Sequence, residues 1–345
     1  MKSKKLSEAI IKNFKSNGFV LSEPDVLLES DYIIERSGEK FRSSMLTFDR
    51  DDGKTMCLRP DLTVASCISF LQKKSSSKIY YSGQAYRRSG NKSTNFINDQ
   101  LGIEILGSKN QIKDDFKVIS TILSAAKKIK RKKILIKVGD IGLFKNLINA
   151  LDMPERWKLR LIRHFWRPSY FEELLKRLEN NTDIDSVTFD ADKQKFYEMK
   201  KIDQDKVVAG RTISEILKRF DKKIKDPRSF ANGKTIVKII KSFLKINCKL
   251  SELDGRLLDF AKKNKLKKNI FKDFKSILNL KKLNQDINFI ANFGRDLEYY
   301  TGIVFEVFSG KKEIARGGRY DGLLKSLGAK KNTPAVGAAI NLKNI

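Results

Sequence analysis

The segment NDQLGIEILG, residues 98–107, alternates strictly, so in a strand Gln100, Gly102 and Glu104 point to one side and Leu101, Ile103 and Ile105 to the other. A sheet face carrying an amide, a bare glycine and a carboxylate suits either solvent or a polar pocket. The glycine would leave room for a ligand, or would mark a bulge. Other chemistry-bearing groups are sparse. Cys57, Cys67 and Cys248 are widely separated, no CxxC occurs, and His164 is the only histidine. Zinc sites, Cys/His dyads and Ser/His/Asp triads need histidines or clustered thiols. No metal and no catalytic nucleophile is therefore expected, and His164, in LIRHFWRP, reads as an ordinary helix-face residue. Neither GxGxxG nor GxxxxGK[ST] is present to cradle a phosphate.

The elements that must position these groups are legible in outline. Leu6, Ile10 and Phe14 recur at helical spacing, and Gly18 can end that helix. MLTFDRDDGKTMCLRP reads as a hairpin turning at Asp51-Asp52-Gly53, with Arg59 held extended by Pro60. A helix, LTVASCISFLQKK, and a strand, KIYYSGQAYRR, follow. SGNKSTN is a loop by composition, leading into the alternating strand. From about Ile112 to Leu151 the pattern is helix, basic run, strand and helix. Trp157 to about Leu280 carries Lys-rich helical patterns such as ISEILKRF and VKIIKSFLK, which read as a helical insertion. Strand patterns return in LEYYTGIVFEVFSG, EIARGGRYDGLL and PAVGAAINL. The expectation is an α+β sheet assembled from both ends of the chain, with parts at 1–150 and 286–345 and a mainly helical insertion at 151–285.

Composition bounds the class. The 345 residues are 40% hydrophobic and 32% charged, ample apolar material for a core, and the length predicts about two domains or one large one with an insertion. No apolar run approaches the ~20 residues of a membrane span. Glu8, Lys12 and Lys15 interrupt what would be the apolar stretch of a signal peptide, so a cytoplasmic protein is expected. With 71 Lys+Arg against 41 Asp+Glu the formal charge is +30. Such a charge invites a nucleic-acid reading. The lysines are nevertheless spread along the chain as a composition bias would spread them, and specific nucleic-acid binding is not expected. The densest run, Lys127 to Lys133, suits a solvated helix end.

Six motifs stand in order: LRPDLT (58–63), YYSGQAYRR (80–88), QLGIE (100–104), GRDLEYYTGIVFE (294–306), ARGGRYDGLL (315–324) and PAVGAAI (334–340). Together they resemble the catalytic domain of class II histidyl-tRNA synthetases over roughly the first 145 and last 60 residues. The resemblance implies an antiparallel sheet flanked by helices, usually dimeric through its N-terminal helix and strand. It also implies a histidine pocket. Asp61 stands where that family has a glutamate for the ligand ammonium, with Thr63 beside it. Gln100 would help hold the amino-acid backbone, Arg295 its carboxylate, and Glu104 and Tyr300 the imidazole, with Tyr299 alongside. Arg87, at the motif 2 arginine, completes the expected ligand set. Taken singly, Arg59 and Asp61 also suit a surface ion pair, and Tyr299 and Tyr300 ordinary strand aromatics.

The departures matter as much as the matches. After its motif 2 arginine a working synthetase has a glutamate and a basic loop for ATP, whereas here Arg87 is followed by Arg88, Ser89 and Gly90. Its motif 3 arginine grips the triphosphate, whereas this chain reads INLKNI, with Asn344 at that position. Loss of a guanidinium from a phosphate clamp removes transition-state stabilisation. A synthetase would also continue into an anticodon-binding domain. This pattern is similar to the histidyl-tRNA synthetase-like regulatory subunits of ATP phosphoribosyltransferase, as are KVGDIGLF (137–144) and AGRTISEIL (209–217). That resemblance implies a non-catalytic chain without cofactors, joined to a short catalytic subunit and conveying feedback inhibition by histidine. Candidate transmitters are the loop Ser89 to Asn95 and the glycine-rich turn Gly317 to Gly322. The alternative is a synthetase-like protein acting on tRNA or another adenylate acceptor.

Overall fold

The computed structural model describes the chain except residues 1, 32, 34–42, 74–76, 89–95, 130–132, 182–185, 209–210, 226–230, 268, 272–274 and 295–298. In chain order the elements are α1 (Lys2–Ser16), β1 (Val20–Leu21), β2 (Leu27–Glu29), β3 (Leu46–Asp49), β4 (Thr55–Leu58), α2 (Leu62–Lys73), β5 (Lys78–Tyr86), β6 (Ile97–Leu106), α3 (Gln111–Ile129), β7 (Ile134–Asp140) and α4 (Ile141–Ala150). They continue with α5 (Glu155–Arg163), α6 (Pro168–Asn180), α7 (Ser186–Met199), β8 (Val207–Val208), β9 (Arg211–Thr212), α8 (Ile213–Lys225), α9 (Gly233–Leu244), β10 (Asn247–Lys249), α10 (Leu253–Lys263), α11 (Lys275–Asn279), β11 (Asp286–Ile290), β12 (Ile303–Ser309), β13 (Lys312–Arg319), α12 (Leu323–Ser326) and β14 (Ala335–Asn341). Contacts divide them into two units, residues 1–144 with 244–345, and residues 145–243.

The first unit is built on a sheet of order β1-β5-β6-β14-β13-β12-β7-β11-β10, nine strands among the described residues. It is antiparallel except at β1–β5 and β7–β11, which run parallel. The chain's two ends meet in its middle, where β14 lies against β6 with Gly337 opposite Glu104. One face is covered by α1 and α3. Ile10 and Phe14 of α1 are fully buried, as their spacing predicts, and Asn13 Nδ2 donates to Ser124 Oγ of α3 at 2.9 Å. The expected hairpin forms as β3–β4, turning at Gly53, whose φ of +79° an L side chain would resist.

Burial decides a point that alternation left open for β6. Glu104 does not face solvent: it is completely buried, as are Leu101 and Ile103 on the opposite side, whereas Gln100 is half-buried. The register with β5 runs without a bulge from Lys78↔Ile105 to Tyr86↔Ile97. The space over Gly102 holds the Tyr81 ring, which a Cβ at that position would strike. The glycine therefore makes room for a side chain of the protein itself.

The second unit is helical apart from the short β8–β9 ribbon. Its core is apolar: Trp157, Leu161, Phe165, Phe171, Leu174, Ile240 and Phe243 are all buried. Phe165 meets Phe171 edge-on at 5.4 Å. Among the described residues no helix is long and apolar enough to cross a membrane.

Candidate functional site

The site lies on the sheet face opposite α1 and α3. Period-two alternation and pairing place Tyr81, Gly102, Glu104, Gly337, Gly318 and Arg316 on that one face. At its centre is the Glu104 carboxylate. Oε1 accepts from Thr63 Oγ1 at 2.8 Å and from Tyr81 OH at 3.2 Å, and Oε2 accepts from Tyr320 OH. The carboxylate fits only because residue 337 is glycine: a Cβ there would fall within the carboxylate group.

Asp61 occupies the N-cap of α2. Its Oδ1 accepts from the Val64 N–H at 2.7 Å, satisfying a helix-terminal amide that would otherwise be orphaned. Oδ2 receives a long bond of 3.5 Å from Tyr299 OH. Tyr299 lies edge-on to Tyr300 and to Tyr320, with ring centroids 5.0 and 5.8 Å apart. Two acids and four phenols thus form one buried cluster, drawn from β4–α2, β5, β6 and the two segments that flank β12–β13.

Electrostatics follow from that burial. Desolvation pushes the Glu104 carboxyl up to about 7, opposed by the hydroxyl donors Tyr320, Thr63 and Tyr81 and reinforced by the nearby Asp61 charge. Desolvation also raises Asp61, while the Val64 amide and the Arg87 guanidinium pull it down. Burial holds the Tyr81, Tyr299 and Tyr320 phenols well above their ordinary range, reinforced by Glu104 at all three and by Asp61 at Tyr81 and Tyr299. They remain hydrogen-bond donors at any working pH. A carboxyl balanced near neutrality can accept from a cationic ring when ionised or donate to a neutral one when protonated.

The structure brings Asp61, Thr63, Glu104, Tyr299 and Tyr300 together. Arg87 lies within electrostatic reach of Asp61. Gln100 shares the Glu104 face but sits four residues along the strand, roughly 13 Å away. There it lines a cavity of about 330 Å³ with Gly83, Gln84 and Lys343. Arg295 and the loop Ser89 to Asn95 lie outside the described residues. The surface ion pair considered for Arg59 and Asp61 does not form. Both are buried, and Arg59 instead donates to the carbonyls of Gln84 at 2.8 Å and Pro24 at 2.5 Å. Gly317 and Gly318 are not turn residues either. They are paired in β13, where a Cβ on Gly318 would stand 2.7 Å from the Ile303 carbonyl and 2.8 Å from the Tyr300 ring.

Sequence reasoning missed Tyr81, Tyr320 and Gly337. All three lie within the motifs quoted above, yet nothing in spacing alone joins Tyr320 to a carboxylate 216 positions away. Arg316 was also missed. It bonds Glu306 at 3.0 Å and Glu313 at 2.7 Å on the same face. Asn344, at the expected phosphate-gripping position, donates to the Glu313 carbonyl at 2.7 Å.

Comparison with known proteins places this geometry. The family model described as histidyl-tRNA synthetase matches residues 1–345. An ATP phosphoribosyltransferase regulatory subunit from Allorhizobium ampelinum is 28% identical over 98% of this chain and 95% of its own. One from Brucella anthropi is 27% identical over 94% and 92%. Among solved structures, histidyl-tRNA synthetase from Nostoc sp. PCC 7120 has a TM-score of 0.63 at 14% identity, covering 99% of this chain and 70% of that one. An ATP phosphoribosyltransferase regulatory subunit/histidyl-tRNA synthetase from Bacillus halodurans has a TM-score of 0.60 at 16% identity, covering 99% and 77%. These two likenesses show the fold, a mixed and mostly antiparallel class II synthetase-like sheet flanked by helices. The chain belongs to the histidyl-tRNA synthetase family, and the relatives it matches over nearly its whole length are those named ATP phosphoribosyltransferase regulatory subunit.

Proposed function

We propose that the chain is the regulatory subunit of an ATP phosphoribosyltransferase, itself non-catalytic, which supports a short catalytic subunit and confers inhibition by histidine. The observation that carries the reading is the buried Asp61–Glu104 pair, caged by phenols, on a synthetase-like sheet of a chain whose full-length relatives bear that name. Asp61 is suited to the ammonium of an amino acid. Glu104, balanced near neutrality, is suited to an imidazole nitrogen. Arg87, Gln100 and Arg295 are the remaining members of the proposed ligand set, and their cationic and amide groups suit the α-carboxylate. Inhibition then requires that histidine bind one arrangement of the complex better than another.

Calorimetry with histidine on the complex, paired with inhibition curves, tests the site. Glu104→Ala should lower affinity by on the order of 2 to 5 kcal/mol and weaken inhibition in parallel, since it strips a buried ligand group of its partner. Undiminished inhibition would place the effector elsewhere. The isolated chain should give no histidine-dependent ATP–pyrophosphate exchange; robust exchange would favour the synthetase reading instead. Self-association as a dimer is supported by edge strand β1, whose Val20 and Leu21 are 55% and 51% exposed. Sedimentation equilibrium of the chain alone would detect it.

A further inference from the structure

Strand β14 is buried along its length except at Ala339 and Asn341, both on the site face. Register fixes what surrounds Ala339: Gly102 stands on one side and Arg316 on the other, with Asn341 and Gln100 paired in the next row. In the row on its other side, the Glu104 carboxylate lies over Gly337 and the Tyr300 ring over Gly318. The Tyr81 ring fills the space over Gly102. Ala339 is therefore the open floor of the site, bounded by Tyr81, Glu104, Tyr300, Arg316, Gln100 and Asn341. Arg316 is the one cation of these six. Neighbouring strands lie about 5 Å apart, so an amino acid whose imidazole meets Glu104 and Tyr300 has its backbone groups within a guanidinium's length of Arg316.

The guanidinium is held before any ligand arrives. Its Nε donates to Glu313 Oε1 at 2.8 Å, and its Nη2 donates to Glu313 Oε2 at 2.7 Å and to Glu306 Oε1 at 3.0 Å. A bidentate contact of this kind fixes the plane of the fork. Nη1 is left without a bond among the described residues, on a side chain 42% exposed. Two acids on one guanidinium would by themselves repel an anion. Lys137, however, stands opposite Glu306 on β7, so two cations balance the two acids along this strip. The guanidinium also lies within electrostatic reach of the Tyr300 phenol, which sets it at the wall of the pocket. A side chain already ordered this way loses little freedom when it takes a ligand.

We infer that Arg316 is a specificity-determining residue of this pocket, donating from Nη1 to the carboxylate of the bound amino acid. The inference rests on the proposed histidine site and adds to it a group that reads the acid end of the ligand. Glu104 and Tyr300 select the ring and Asp61 the ammonium, whereas Arg316 separates the amino acid from analogues that keep both groups and lack the carboxylate. Glu313 and Glu306 act through Arg316 as positioning residues, since they aim its free nitrogen at the open floor.

The experiment is calorimetry on the complex with two probes, histidine and histidinol, in which a hydroxymethyl group replaces the carboxylate. Arg316→Met should weaken histidine on the order of tenfold or more while shifting histidinol by less than about twofold, because only histidine loses a charge-assisted bond. Arg316→Lys keeps a cation between Glu306 and Glu313, which protects the fold, but lacks the fork. It should weaken histidine selectively too, by a smaller factor. Lys312→Gln, at the exposed end of the same strand, should leave both affinities unchanged. Equal losses for the two ligands in both Arg316 variants would assign the residue a structural role and overturn the inference, with the histidine site left standing. Unchanged histidine affinity in both variants would overturn it in the same way. A parent complex that binds no histidine would remove the site itself, and the inference with it.

Discussion

Titration of Glu104 should leave a measurable mark on stability. The carboxyl is fully buried and rises from its ordinary 4.5 to about 7 on folding, because desolvation outweighs the three hydroxyl donors. At about 1.4 kcal/mol per unit, the shift corresponds to about 3 kcal/mol. The sign follows from proton counting. Between pH 4.5 and 7 the folded chain holds the proton that the unfolded chain has released, so raising pH drains stability across this window. Below it the acid is protonated in both states, and above it the full penalty applies. Glu104→Gln keeps the side-chain volume and a carbonyl for the hydroxyls but cannot ionise. Urea denaturation of the parent and of Glu104→Gln across that range should show the parent losing about 3 kcal/mol relative to the variant between the acid and alkaline ends. Asp61 is raised by desolvation in both proteins, so that part cancels in the difference and only its coupling to the Glu104 charge distinguishes them. Parallel stability curves would refute the argument, showing that the folded carboxyl is solvated or already ionised at low pH.

Three further outcomes follow from the same packing. Gly337→Ala should displace the Glu104 carboxylate, with a loss of about 1 to 3 kcal/mol of stability by overpacking and of histidine binding by calorimetry. Arg319 is 1% exposed and bonds Asp115 at 2.6 Å and Asp321 at 2.8 Å, so Arg319→Met should cost about 3 to 5 kcal/mol in denaturant titration by stranding the buried Asp115 carboxylate. All three cysteines are buried, and burial pushes the Cys57 thiol up to about 11 and Cys67 higher than its ordinary range, so a thiol reagent at mildly alkaline pH should label none of them until the chain unfolds.

Much of this protein is written in local pattern. Period two marks β6, helical spacing marks α1, and Asp-Asp-Gly marks the β3–β4 turn, because each depends on residues within a few positions of one another. The ordered motifs led to the same fold, and they named Asp61, Thr63, Glu104, Tyr299 and Tyr300 as neighbours. Local pattern could not say whether the Gln100–Gly102–Glu104 face meets water, since alternation specifies two faces without saying what covers them. Tertiary structure decided that point by laying Tyr81 over Gly102 and bringing Tyr320 to Glu104 from 216 positions away. It also sent Arg59 to two backbone carbonyls instead of Asp61, and set three guanidiniums around His164 at a helix end. Each of these outcomes depends on how far a side chain is buried and on which distant segment covers it. Desolvation and hydrogen-bond partners, which set the charge state of Glu104 and of His164, come into existence only when the chain has closed around them.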